Sequence, residues 1–233
     1  AGSFDLLLAK YNSSGTIQWQ RTLGLDKPDQ GFGVAIDSSD NVYVTGYHQA
    51  DFGFPENLLI TKWNSSGTVQ WQRLLSGANN ERGQSIAIDS ADNVYVSGNT
   101  NSEGEGSNDY LIAKYNTSGT IQWQSVLGAS GDDVARTIAL DSNDNIYVFG
   151  YTTSTGEGGT DNLLGVLPND GSLTGTYVLD SVNIVYAVSS LTDTAASLTQ
   201  ATSSLTDDAT SLTAGTSSLT SASASLTEHR VDL

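Results

Sequence analysis

Side chains able to do chemistry are sparse in this 233-residue chain, and those that recur do so in turn-like surroundings. The two histidines, His48 and His229, are far apart in sequence and imply no acid–base pair. Cysteine is absent, which removes thiolate nucleophiles and disulfides together. Serines are abundant, yet none stands in a Gly-x-Ser-x-Gly elbow, and no Gly-x-x-x-x-Gly-Lys phosphate loop occurs. The expectation is a protein that is not an enzyme and carries no cofactor.

Carboxylates are plentiful, with 26 acidic against 9 basic residues and a formal charge of −17. Such a surface repels nucleic acid and anionic membrane, and leaves cations, neutral glycans and basic protein patches as partners. Three acidic pairs, Asp37/Asp40, Asp89/Asp92 and Asp141/Asp144, have oxygens suited to calcium. The stronger expectation is hairpin turns, because Asp and Asn bond to nearby backbone and tolerate turn geometry; no metal site is assigned. Asn12, Asn64 and Asn116 open Asn-x-Ser patterns that a repeated turn also explains. The candidate ligand-binding residues are Glu103, Glu105, Asp109, Glu157 and Asp161. They border the segments 101–108 and 152–160, which with 48–56 differ most between otherwise copied stretches, and recognition usually resides in loops on a rigid scaffold. Plain solvated connection is the competing reading.

The elements that hold these residues repeat. DLLLAKYNSSGTIQWQ from Asp5 returns as NLLITKWNSSGTVQWQ from Asn57 and DYLIAKYNTSGTIQWQ from Asp109, an offset of 52 both times. VAIDSSDNVYVTG from Val34 returns at Ile86 and Ile138 with the same offset, and DNLLGVL at Asp161 opens a fourth copy. Each unit reads as four short strands: one ending at an Asn-Ser-Ser-Gly turn, one carrying Trp19, Trp71 or Trp123 on its buried face, and two joined by Asp-x-x-Asp-Asn. The recurrent Lys10, Lys62 and Lys114 are expected along the blades, pairing with acids.

Four-stranded units of this length suit a small β-propeller of about four blades. The DLLLAKYN, G-T-I-Q-W-Q and IDSSDNVYVTGY elements resemble the bacterial β-propeller repeat family SBBP over roughly residues 5–167. That resemblance implies a propeller fold and leaves function open, since propellers host many activities. With blades starting at the tryptophan strand, residues 17–167 would form three. Residues 6–11, 173–179 and 183–188 would then close a fourth from both ends, the other possibility being an open arc completed by another subunit.

The propeller domain is expected over 1–188 and a second region over 189–233, where leucine recurs every seventh residue at Leu191, Leu198, Leu205, Leu212, Leu219, Leu226 and Leu233. A heptad places one stripe along an α-helix. On a single strand an odd period would alternate the leucines between faces. The expectation is an oligomeric coiled-coil stalk, a trimer favoured, although 28 of the 39 residues from Ser189 to Thr227 are Ser, Thr or Ala and disfavour a lone helix. A flexible Ser/Thr-rich linker is the other reading. A start at Ala1 fits loss of an initiator methionine or cleavage of a leader. Head and stalk together suggest a virion or extracellular assembly protein, such as a tailed-phage fibre that attaches to a host-surface glycan. A secreted or surface binding module for a glycan or cation, and an extracellular filament subunit, are the alternatives.

Overall fold

The computed structural model describes residues 4–24, 27–49, 53, 55–156, 158–179, 182–196 and 198–202, and among them there are strands and no helix. In chain order the strands are β1 (Leu6–Tyr11), β2 (Ile17–Gly24), β3 (Asp29–Ile36), β4 (Val42–Gln49), β5 (Glu56–Trp63), β6 (Val69–Ser76), β7 (Glu81–Ile88), β8 (Val94–Thr100) and β9 (Asp109–Tyr115). There follow β10 (Ile121–Gly128), β11 (Asp133–Leu140), β12 (Ile146–Thr152), β13 (Asp161–Leu167), β14 (Gly175–Leu179), β15 (Val182–Val188), β16 (Thr192–Ala195) and β17 (Thr199–Thr202).

They form four antiparallel sheets: β1-β2-β17, then β3-β4-β5-β6-β16, then β7-β8-β9-β10-β15-β14, and lastly β11-β12-β13. The 52-residue unit thus becomes a four-stranded blade, but its phase differs from the expected one. The tryptophan strand is last in its blade, not first, because the Asn-Ser-Ser-Gly turn folds it back onto the preceding strand, as β6 pairs with β5 through Lys62↔Trp71. The connection 77–80 after β6 then steps to the next sheet. The variable segments 48–56, 101–108 and 152–160 accordingly join paired strands inside one blade.

The turns obey local rules. Asn12, Asn64 and Asn116 each accept at Oδ1 the backbone N–H groups two and four residues on, at 2.8–3.1 Å, which closes the turn around Gly15, Gly67 and Gly119 at positive φ. Asp37 and Asp89 accept the same pair of N–H groups. Asp40, Asp92 and Asp144 hold φ of 61–62°, a conformation Asp tolerates better than most residues. The paired aspartates are hairpin residues.

Apolar side chains fill the seams between successive sheets. Leu6 and Leu23 meet Val42, Val44, Leu59 and Trp63 across the first seam. Tyr43, Leu58 and Ile60 meet Ile86, Val96 and Leu111 across the second, and Tyr95, Tyr110 and Ile112 meet Ala135, Ile138 and Val148 across the third. Trp19, Trp71 and Trp123 are only half-buried; the fully buried tryptophan is Trp63.

A fourth blade does not form from both ends as expected. Strand β1 pairs with β2, while β14 and β15 extend the edge of β10. Among the described residues no pairing joins the last sheet to the first. The expected helix from Ser189 is also corrected over 192–202, where β16 and β17 are short strands on β6 and β2. Ser and Thr resist helix and suit an extended edge. Leu205, Leu212, Leu219, Leu226 and Leu233 lie outside the described residues.

Candidate functional site

The heptads and the blades meet in a fixed ratio. Val185 faces Gly128, Thr192 faces Ser76 and Thr199 faces Gly24: seven residues of the C-terminal segment correspond to 52 residues of the blades. Each heptad brings one apolar residue to one seam. Ile184 enters the third, Leu191 the second and Leu198 the first, and all three are buried. Leu191 and Leu198 therefore need not alternate between faces, because each belongs to a separate short segment. Leu191 and Leu198, expected to join subunits, are spent inside the chain.

The second glutamine of the second and third Gln-Trp-Gln segments holds this strap. Gln124 Nε2 donates to the carbonyl of Leu191 at 2.8 Å, and Gln72 both donates to the Leu198 carbonyl at 3.0 Å and accepts its N–H at 3.1 Å. Backbone bonds from Ser189 to Gln124 and from Ala196 to Gln72 complete the edge. The alternation of the tryptophan strand had marked these glutamines only as the wetter face. Their strap role could have been suspected from the two periods, since Gln72 and Gln124 lie 52 residues apart and Leu191 and Leu198 seven apart.

Seams between blades use the other recurrent side chains. The indole N–H of Trp19, Trp71 and Trp123 donates to the carbonyl of Ser65, Thr117 and Asn169, each 46 residues ahead. A Cβ at Gly67, Gly119 or Gly171 would strike the indole beneath it. Ser38 donates through N–H and hydroxyl to Asp92 at 2.9 and 2.6 Å, and Ser90 does the same to Asp144 at 3.3 and 2.9 Å. Lys62 and Lys114 lie over Tyr43 and Tyr95 and reach Asp37 and Asp89 at 3.5 and 3.6 Å, as the along-the-blade expectation for these lysines required. Burial works to raise Asp37 and Asp89, yet hydrogen bonds from Asn41 and Asn93 outweigh it and hold both below the ordinary carboxylate range.

The acidic loop residues do not assemble into one recess. Glu103 accepts hydrogen bonds from Ser189 and from the N–H and hydroxyl of Ser190, so it anchors the start of the strap. Glu105 is exposed, and Glu157 lies outside the described residues. Asp109 is fully buried, with neither carboxylate oxygen hydrogen-bonded under normal geometry. Burial pushes it up to about 7 against the opposing pull of the Glu105 backbone N–H, and the charges of Asp133, Glu105 and Asp132 add to the rise. Asp161 is half-buried in the corresponding place one blade on. Gly104 and Gly156 pass directly over Asp109 and Asp161, leaving no room for a Cβ. Nearby, Glu81 is fully buried and receives Gly77 N–H at 2.7 Å, Thr100 at 3.0 Å and Ser102. Among the described residues no three acidic or histidine side chains group as metal ligands.

Stacked antiparallel blades tied by seam-crossing tryptophans define a propeller-type repeat protein. The sequence profile of the β-propeller repeat SBBP matches residues 18–53, 70–105 and 122–156, one match for each of the three 52-residue units. Each match starts on the strand that ends a blade, so sequence repeat and blade are out of phase by one strand. An uncharacterized WD repeat-containing protein of Acanthamoeba polyphaga mimivirus is 26% identical, with 60% of this chain and 14% of that protein covered. The regulatory protein FlaEY of Caulobacter vibrioides is 28% identical, with 45% and 13% covered. The chain thus spans about a seventh of each of these relatives.

Proposed function

We propose that the chain is a non-enzymatic assembly protein, a stack of blades that links other proteins in a virion fibre or an extracellular appendage. The observation that supports this is how the recurrent polar side chains are used. Trp19, Trp71, Trp123, Ser38, Ser90, Lys62 and Lys114 all serve contact between neighbouring strands and blades, and rigidity along a repeat array is what such contacts supply. The partners this reading implies are further copies, other appendage proteins and, at the host surface, a glycan. Labelling of purified particles and cell-surface appendages with an antibody to the blades, followed by electron microscopy, tests it. Label on the appendage supports the reading, and label confined to the cell interior sinks it.

A surface module that binds a glycan is the second reading, favoured by the exposed segment 104–107, which holds Glu105 between two glycines. Glycan-array binding abolished by exchanging residues 101–108 for 48–56 would select it over the first.

A further inference from the structure

We propose that the two ends of the blade array dock on each other between copies, head to tail, with a second copy of this chain as the occupant of both end faces. This inference rests on the assembly reading above and names its partner.

Residues buried at the internal seams are exposed at the ends. Val34 and Ile36 on β3 are 61% and 60% exposed. Ile86 and Ile138, one and two repeats on from Val34, are 6% and 5% exposed because the preceding blade covers them. At the other end Tyr147 is 38% exposed, whereas its counterparts Tyr43 and Tyr95 are fully buried under the following blade. Single exposed apolar residues are ordinary; here they fall on both faces that the repeat elsewhere pairs with each other.

The polar contacts are also left in complementary halves. Ser38 and Ser90 each cap the aspartate of the next blade. Ser142, next in that series, has no hydrogen-bond partner among the described residues, and neither has the exposed Asp40 carboxylate, first in the aspartate series. The geometry of the Asp40 turn is already that of Asp92 and Asp144, with φ of 61° against 62°. In the joint, Ser142 of one copy donates to Asp40 of the next.

The receiving face has a matching hollow. A cleft of 390 Å3 lies between β1 and β3, lined by Leu6, Leu8, Gly31, Phe32, Val34 and Val44. It lies where, among the described residues, the first sheet has no counterpart of the two strands that open the other blades. Strands β11 and β12 are such a pair. Phe149 of β12 is 40% exposed and takes the position of Thr45, which internally sits over Gly83; Gly31, in the cleft wall, is the counterpart of Gly83.

One strand must yield for this to close. Strands β1 and β13 hold the same place in the repeat, beside the second strand of a blade. We assign that edge in the joint to β1 of the next copy, which brings β2 with it as the fourth strand that the last sheet lacks. Leu7 and Tyr11, both exposed, then take the places of Leu163 and Leu167, whose internal counterparts Leu59, Leu111, Trp63 and Tyr115 are fully buried. The contact is heterologous and exchanges a strand, so it generates a closed ring or an open polymer.

The test uses the full chain in sedimentation and light-scattering measurements from low to high micromolar concentration, in salt high enough to screen the charge of −17. The wild type is expected as rings or polymers. F149N, damaged at the tail, and V34N, damaged at the head, should each be monomeric by themselves with unchanged circular dichroism. Mixed together, they retain one intact tail and one intact head, and should form a dimer that grows no further. Wild type that stays monomeric throughout, oligomers that survive both substitutions, or a mixture that fails to dimerise each overturn the proposal. Particle labelling is read independently, so an appendage protein without this joint is distinguishable from a protein that is no appendage component.

Discussion

Asp109 shows how a side chain that looks like a loop ligand can be a buried liability. Its carboxyl is raised to about 7 by burial, against an ordinary 3.8. A raised acid contributes stability that is fully present below about 3.8 and lost as pH climbs through 7. Asn57 holds the same place one repeat earlier, so the site accepts an amide. Asp109→Asn should therefore stabilise the protein by about 2 kcal/mol at pH 8, roughly half of what the full shift would give, since a folded protein relaxes around a buried charge. The gain should vanish near pH 4, with thermal melts at both pH values as the check. Asp37 and Asp89 act in the opposite sense: their lowered carboxyls stabilise above 3.8 and lose that contribution as pH falls. Loss of the seam cap by Asp92→Ala, which removes the acceptor of Ser38, should cost about 1 kcal/mol in urea unfolding. Asp40→Ala, at the uncapped turn, should cost the monomer less.

At the scale of elements, the strap makes predictions that a stalk would not. Leu198 is buried among Leu23, Leu59 and Trp63, so Leu198→Ala should destabilise by about 3 kcal/mol, as large-to-small core substitutions do. Glu103→Gln keeps hydrogen-bond acceptance but removes the charge at Ser189 and Ser190, and should release the strap to proteolysis earlier than the blades. Register gives the sharper test. Deleting 192–198 removes one full heptad and lets 199–205, which also ends in Ser-Leu, slide into the vacated place. Deleting 192–197 breaks the seven-to-52 match. The first variant should melt close to wild type and the second well below it; equal melting of the two would show that register is irrelevant.

For the whole molecule, repeats that touch only their neighbours make stability a sum of blade and seam terms. The middle blades have a seam on each face, whereas the last sheet, β11-β12-β13, has one. Amide exchange should consequently be slowest in β5, β8 and β9 and faster in β11–β13. A charge of −17 on one chain also opposes compaction and self-contact. Added sodium chloride should raise the melting temperature and promote head-to-tail growth together, whereas the F149N and V34N proteins should show only the first effect.

The sequence by itself determined the unit: the offset of 52, the strands, the Asn and Asp turns, and the pairing of Lys62 and Lys114 with acids are local consequences of side-chain type and spacing. Periodicity also located the heptads, since leucine at every seventh residue is visible without coordinates. Only the tertiary structure decided what those periods face. A heptad reads as a helix when its partner is another helix, but here Leu191 and Leu198 meet different blade seams, and the partner periodicity lies some 60 to 175 residues earlier in the chain. The phase of the blades was likewise decided by pairing, because a hairpin turn fixes which strands are neighbours while strand chemistry alone does not. Burial of Asp109 followed from Gly104 passing over it, and the open ends followed from which faces found a neighbour. These are relations between distant segments, and no single stretch of sequence contains them.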